Sequence, residues 1–155
     1  MPHLYGMHNA LLMDDIIKRE PLLMTWRSAL APGVKAELHS IHAEMCAMHA
    51  LYGMALSNEA VAMVDAVGPY ELDASLGADE RRACDERLKL AADMLCRASG
   101  VFGYLADRLV PQWDTIDETR RVPELTLEGG QALAKYVAVQ RLLTTDSRWP
   151  RRTRW

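Results

Sequence analysis

Apolar positions recur along most of this chain at steps of three and four, the spacing that lines one face of an α-helix. From Cys84 the series Leu88, Ala91, Leu95, Ala98, Phe102, Leu105 and Leu109 keeps those steps without a break. An earlier series, Val34, Leu38, Ile41, Met45, Met48, Tyr52 and Ala55, shifts by one residue and continues through Leu56, Ala60, Met63 and Val67. Pro and Gly divide the pattern into blocks. The first runs from about His3 to Arg19 and stops at Pro21. A short segment, Leu22 to Leu30, ends at Ala31-Pro32-Gly33. The second block runs from Val34 to about Val67, before Gly68-Pro69. The third starts near Gly77, with Asp79 and Glu80 in its first turn, and runs to Val110 before Pro111. Acids there suit the positive end of the helix dipole. A polar loop, Gln112 to Leu125, separates it from a fourth helix that Thr126 is placed to cap and that ends near Asp146. Its inward face is marked by Leu133, Tyr136, Val137 and Gln140.

The pattern predicts an all-α fold: an antiparallel bundle of about four helices, two of them long and amphipathic, because short connections make neighbouring helices antiparallel. Runs of β-branched and aromatic residues that would mark strands are absent. Residues 1–147 read as one helical domain and 148–155 as a basic tail. The 155 residues suit one domain, and no internal repeat indicates a solenoid.

A net charge of −3 gives no electrostatic reason to expect nucleic acid. No stretch reaches the apolar length of a membrane span, and Asp14-Asp15 sits where a secretory signal or transit peptide would exclude acids. Cys46, Cys84 and Cys96 are odd in number and form neither CxxC nor a disulfide framework. They read as reduced thiols in an intracellular, reducing compartment.

The chemistry-bearing candidates are few. His39, His42, Cys46 and His49 are spaced to project within an arc of roughly 80° on one helix, and both residue types ligate zinc or haem iron. They also span about 15 Å of axis, too far to converge on one tetrahedral centre. They are weak metal candidates; the simpler reading has them bordering the core and bonding to a neighbouring helix. Glu37 and Glu44 do not form the Glu-x-x-His signature of di-iron bundles. No serine lies in a nucleophile-elbow context. Gly100, Gly103, Gly129 and Gly130 match no phosphate loop and read as close-packing positions or a frayed first turn. The expectation is a non-enzymatic protein without a cofactor. The tail concentrates Arg148, Arg151, Arg152 and Arg154 with Trp149 and Trp155. Arg and Trp together suit an acidic protein, a membrane surface or RNA, and a solvated, frayed end is the plainer alternative.

Three stretches together resemble the BRO1-domain family of endosomal-sorting adaptors. Leu23-Met24-Thr25-Trp26-Arg27-Ser28-Ala29-Leu30 is similar to the Trp-bearing segment that precedes the family's long helices. Ala36-Glu37-Leu38 through Tyr52-Gly53-Met54-Ala55-Leu56-Ser57-Asn58-Glu59-Ala60 is similar to a helix with an acidic start and a small-residue end. Ala98-Ser99-Gly100-Val101-Phe102-Gly103-Tyr104-Leu105, Leu109 and Pro123-Glu124-Leu125-Thr126 resemble a Gly-Phe-Leu passage ending in Pro-x-Leu-Ser, followed by Ala132-Leu133 and Ala138-Val139-Gln140. The likeness runs from Trp26 to Gln140, the central part of such a domain. His39, His42, Met45, Met48 and His49 stand where the family carries Leu, Phe and Asn.

The resemblance implies BRO1- or TPR-like helical packing and a non-catalytic adaptor that holds partner helices, such as those of ESCRT-III subunits. It also implies a cytoplasmic or endosome-associated setting. With only the central helices represented, the family's concave binding surface is expected to be incomplete. The chain is then expected to expose apolar surface to partner chains or to itself. Leu142, Leu143, Trp149, Arg151, Arg152 and Trp155 are the expected contact residues. The competing readings are a structural helical subunit of a large assembly and a metal- or haem-binding helical bundle.

Overall fold

A computed structural model describes residues 24–38, 41–112 and 122–145. The first block, His3 to Arg19, and the tail lie outside the described residues, as does His39.

The chain enters through a hairpin that the hydrophobic pattern did not indicate. Strand β1 (Met24–Arg27) pairs antiparallel with β2 (Lys35–Leu38), Trp26 opposite Ala36. The connection turns at Pro32-Gly33, where Gly33 has a φ of 94°, a region open to glycine at little cost. Closing bonds run from Ser28 N–H to the Val34 carbonyl and from Val34 N–H to the Ala31 carbonyl. The helix expected from Val34 therefore begins at Ile41. With four residues per strand, Val34 and Leu38 matched a helical step by coincidence.

Three helices follow. α1 spans Ile41–Val67, α2 spans Ala78–Tyr104 and α3 spans Leu127–Thr145. The Gly77 N–H donates to the Glu80 carboxylate (2.8 Å) at the start of α2. Thr126 caps α3 as its position suggested: its hydroxyl accepts from the Gly129 N–H at 3.0 Å and donates to the Pro123 carbonyl at 2.8 Å. Beyond Tyr104 the α2 backbone widens into a π turn, Leu105–Leu109, and ends in a tight 3-10 turn, Val110–Gln112.

α2 is the central element. It packs along both α1 and α3, while α1 and α3 scarcely meet, so the three helices form an open layer. Neighbours are antiparallel. His42 contacts Leu109, His49 Tyr104, and Gly53 Phe102, so falling numbers on α1 meet rising numbers on α2. On the other side Ser99 bonds to the Ala134 carbonyl and Gln131 to Asp107. The fold is mostly helical as expected, with a small sheet added; four helices are not seen among the described residues.

The seam of the third block is buried at Leu88, Ala91, Leu95, Ala98, Phe102, Leu105 and Leu109. The seam expected for α1 is buried only in its second part, at Leu56 and Ala60. Met45, Met48, Tyr52 and Ala55 lie on the outside, and the inward face carries Ala43, Cys46, Ala47, Ala50 and Gly53. α1 is apolar on both sides, so its periodicity could not choose between them. Small residues face α2 because α2 supplies the bulk. A Cβ on Gly53 would sit 2.8 Å from the Phe102 ring, so that ring occupies the space a side chain would need. On α3, Val137 is buried and Leu133 and Gln140 are half-buried, but Tyr136 points outward at 61% exposure.

Candidate functional site

The most developed polar arrangement lies where the hairpin meets the turn before α3. Glu124, in the 3-10 turn Pro123–Leu125, is fully buried between the equally buried Val122 and Leu125. One carboxylate oxygen accepts the Trp26 indole N–H at 3.1 Å and the Ala29 backbone N–H at 2.9 Å; the other accepts the Ser28 hydroxyl at 2.7 Å. Ser28 Oγ in turn accepts the Ala31 N–H at 2.9 Å, so one acid organises the hairpin turn. Burial pushes the Glu124 carboxyl up. The Ser28 hydroxyl, the residue's own N–H, the Trp26 indole and the Ala29 N–H outweigh that and leave it below the ordinary carboxylate range. A carboxylate held by three donors, with no nucleophile or second acid in the network, is a structural tie. The polar loop expected through Leu125 thus ends in buried core.

The His/Cys face of α1 is dispersed. The His42 Nε2 donates to the Leu109 carbonyl at 2.8 Å. That carbonyl lies at the end of the π turn. Cys46 is buried in the core beside Leu105 and Leu109. The His49 Nδ1 donates to the Met45 carbonyl one turn back (2.8 Å), and its ring tilts against Tyr104. The His42 bond is of the kind expected, to the neighbouring helix. Among the described residues no three His, Cys, Asp or Glu side chains are grouped as a metal site would require. None of the three cysteines is in a disulfide.

The remaining candidates are surfaces. On α3, Tyr136, Val139 and Leu142 are more than half exposed, and Leu143 is half-buried. Leu142 therefore lies on an outer face; Trp149, Arg151, Arg152 and Trp155 lie outside the described residues. On α1, Met45, Met48, Leu51 and Tyr52 form a second uncovered apolar face. The Tyr52 hydroxyl accepts from Arg97 at 2.9 Å. No helix among the described residues is long and apolar enough to cross a membrane.

The glycines divide. A Cβ on Gly129 would lie 1.8 Å from the Pro123 carbonyl oxygen and one on Gly130 2.9 Å from Ala106, so close packing holds for both. A Cβ on Gly100 or Gly103 would meet nothing within 4 Å, so neither is a close-packing position.

Among known proteins, the chain is similar to the pH-response regulator protein palC of Cryptococcus neoformans var. neoformans serotype D (strain B-3501A), at 26% identity over 122 residues. The match covers 72% of this chain and 25% of palC, so the chain spans about a quarter of the length of that relative. No family model matches the chain, and no solved structure matches it. The palC likeness supports a distant BRO1-like relationship.

The structure joins two stretches that carried the BRO1 resemblance. Trp26 and Ser28 of the first hold Glu124 of the third, across 98 and 96 residues of chain. Sequence reasoning placed Glu124 in a motif but assigned it no role. The signal was a Trp and a Ser two residues apart, both able to donate, and an acid flanked by Val122 and Leu125 in a loop otherwise rich in charge.

Proposed function

We propose that this chain is a non-catalytic helical scaffold of BRO1-like type that binds other protein chains. The observation that carries the reading is the open helical layer itself: its outermost helix, α3, presents Tyr136, Val139 and Leu142 away from the core. Apolar side chains aligned on a terminal helix are the usual anchor of a helix-binding surface. The palC likeness supports an adaptor role, and a cytoplasmic or endosome-associated setting accords with it.

On this reading Leu142 and Leu143 lie at the contact and Trp149 and Trp155 extend it. Arg151 and Arg152 favour an acidic partner, an ESCRT-III-like helix or an assembly subunit, and self-association uses the same face. The test compares the intact chain with Tyr136→Glu/Leu142→Glu in affinity isolation and sedimentation. Unchanged helicity and melting with loss of the bound chain or of the dimer supports the reading. Equal recovery of the same partner by both proteins, or monomers without a partner in both, overturns it.

A further inference from the structure

The core is in two parts. One apolar cluster gathers Leu56, Ala60, Leu95, Phe102 and Val137 from the three helices. The other lies at the hairpin end and holds Cys46 and Ala50 of α1, Leu105 and Leu109 of the π turn, and Val122 and Leu125 beside Glu124. The boundary falls between Ala50 and Leu56 on α1 and between Phe102 and Leu105 on α2, where the π turn begins. The two parts are built differently. Long helices close the first. Short pieces close the second: a hairpin with four-residue strands and a three-residue 3-10 turn. The hairpin brings little apolar surface to it, since Ala36 is buried and Met24 and Trp26 are only partly so. Its other attachment is polar, the bonds of Trp26, Ser28 and Ala29 to Glu124.

We propose that the hairpin and the turn Pro123–Leu125 form a latch, locked by Glu124, that opens as one unit while the layer of α1, α2 and α3 stays folded. Segments with few buried apolar contacts and short hydrogen-bonded runs are the ones that open ahead of global unfolding. The lock makes the two segments move together. If the hairpin left alone, the buried carboxylate and its donors would lose their partners at once, which is costly. The turn is coupled in the same way to the start of α3. The Thr126 hydroxyl joins the Pro123 carbonyl to the Gly129 N–H, and the Gly130 N–H donates to the Thr126 carbonyl at 2.9 Å. The Pro123 carbonyl oxygen also occupies the place a Gly129 Cβ would take. Displacing the turn therefore undoes the first turn of α3. The middle of α2 needs nothing from the latch, because Ala91, Leu95, Ala98 and Phe102 are packed with residues of α1 and α3. Opening uncovers the hairpin-end cluster and with it the Cys46 thiol, which is 0% exposed in the closed chain. The device lets the chain present that apolar cluster without losing its helical layer.

The test uses the full chain carrying Cys84→Ser/Cys96→Ser, so that Cys46 is its one thiol. Alkylation of Cys46 by iodoacetamide and amide hydrogen exchange are followed side by side at rising urea below the unfolding transition. The Cys46 thiol, the amides of Ser28 and Ala29 and the amides of Gly129 and Gly130 should share one opening equilibrium. It should be at least about tenfold more open than that of the amides of residues 95–102, and less steeply dependent on urea because less surface is exposed. Glu124→Gln in the same background should raise alkylation and exchange at all the latch positions by the same factor. A single equilibrium shared with residues 95–102 would show one cooperative unit. Opening at Ser28 and Ala29 with Gly129 and Gly130 still protected would show the hairpin fraying alone. Cys46 as protected as α2 while both segments open would show that the cluster stays covered. Each of these overturns the inference, and none bears on whether α3 binds a partner.

Discussion

The indole N–H of Trp26 donates to the carboxylate of Glu124 at 3.1 Å, joining the first strand to the turn that starts the last helix. With the Ser28 hydroxyl and the Ala29 N–H, it lets a carboxylate sit fully buried in the core. Removing the acid takes the acceptor from these part-buried donors. Glu124→Ala should therefore destabilise the fold by about 3 kcal/mol, since each orphaned buried polar group costs on the order of 1–3 kcal/mol. Urea denaturation followed by circular dichroism measures it, and a loss under about 0.5 kcal/mol would contradict the role given to the network.

The same carboxylate makes stability depend on pH with a definite sign. Its folded pKa lies below the ordinary value of 4.5. The stabilisation is thus fully present above pH 4.5 and is lost as pH falls from there through the lowered folded value. Glu124→Gln, which cannot ionise, should flatten that part of the curve. Melting temperatures of both proteins between about pH 3 and pH 7 test it; parallel curves would show that Glu124 does not contribute.

The seam of α2 should be the most sensitive apolar region. Leu95 and Phe102 are both 1% exposed and join α1, α2 and α3 in one cluster. Leu95→Ala should cost about 2–5 kcal/mol and Phe102→Ala about 3–5 kcal/mol. An unchanged melting temperature for either would refute the assignment of this helix as the centre of the layer.

Two glycines should respond to alanine with opposite signs. Gly53→Ala drives a methyl into the Phe102 ring, which is walled in on all sides. The strain should exceed the helix-propensity gain of about 1 kcal/mol and lower stability. Gly100 is exposed on α2 with open space around it. Gly100→Ala should raise stability by about 0.5–1 kcal/mol. Thermal melts of both variants beside the parent decide the signs.

The legible features were those that repeat along the chain. α2 reads cleanly because large side chains alternate at helical steps with Arg, Asp, Glu and Lys; the seam from Leu88 to Phe102 is buried as expected, with Ala92 and Met94 added to it and Cys84 only half-buried. Thr126 was legible as a cap because capping is a contact within four residues. α1 was legible as a helix, and as a face only from Leu56 and Ala60 onward. Met45, Met48 and Tyr52 have the same spacing and greater hydrophobic bulk than Ala43, Cys46 and Ala50. Which set turned inward depended on a ring from another helix, Phe102, filling the space over Gly53. Tyr136 and Val137 posed the same choice, one residue apart, and Val137 took the core.

Composition and local periodicity therefore determined a mostly helical chain, the position of its longest regular seam and the turns between helices. These follow from short-range sterics and from removing one continuous apolar stripe from water. Tertiary structure alone decided the hairpin, the inward side of α1 and the burial of Glu124. A four-residue strand holds too few positions to show its own period, and a two-sided apolar helix has no preferred face until a neighbour arrives. A charge in a loop reads as solvated until its donors are seen. Those of Glu124 come from residues 26–29, nearly a hundred positions away in sequence, and only the folded chain brings them to the carboxylate.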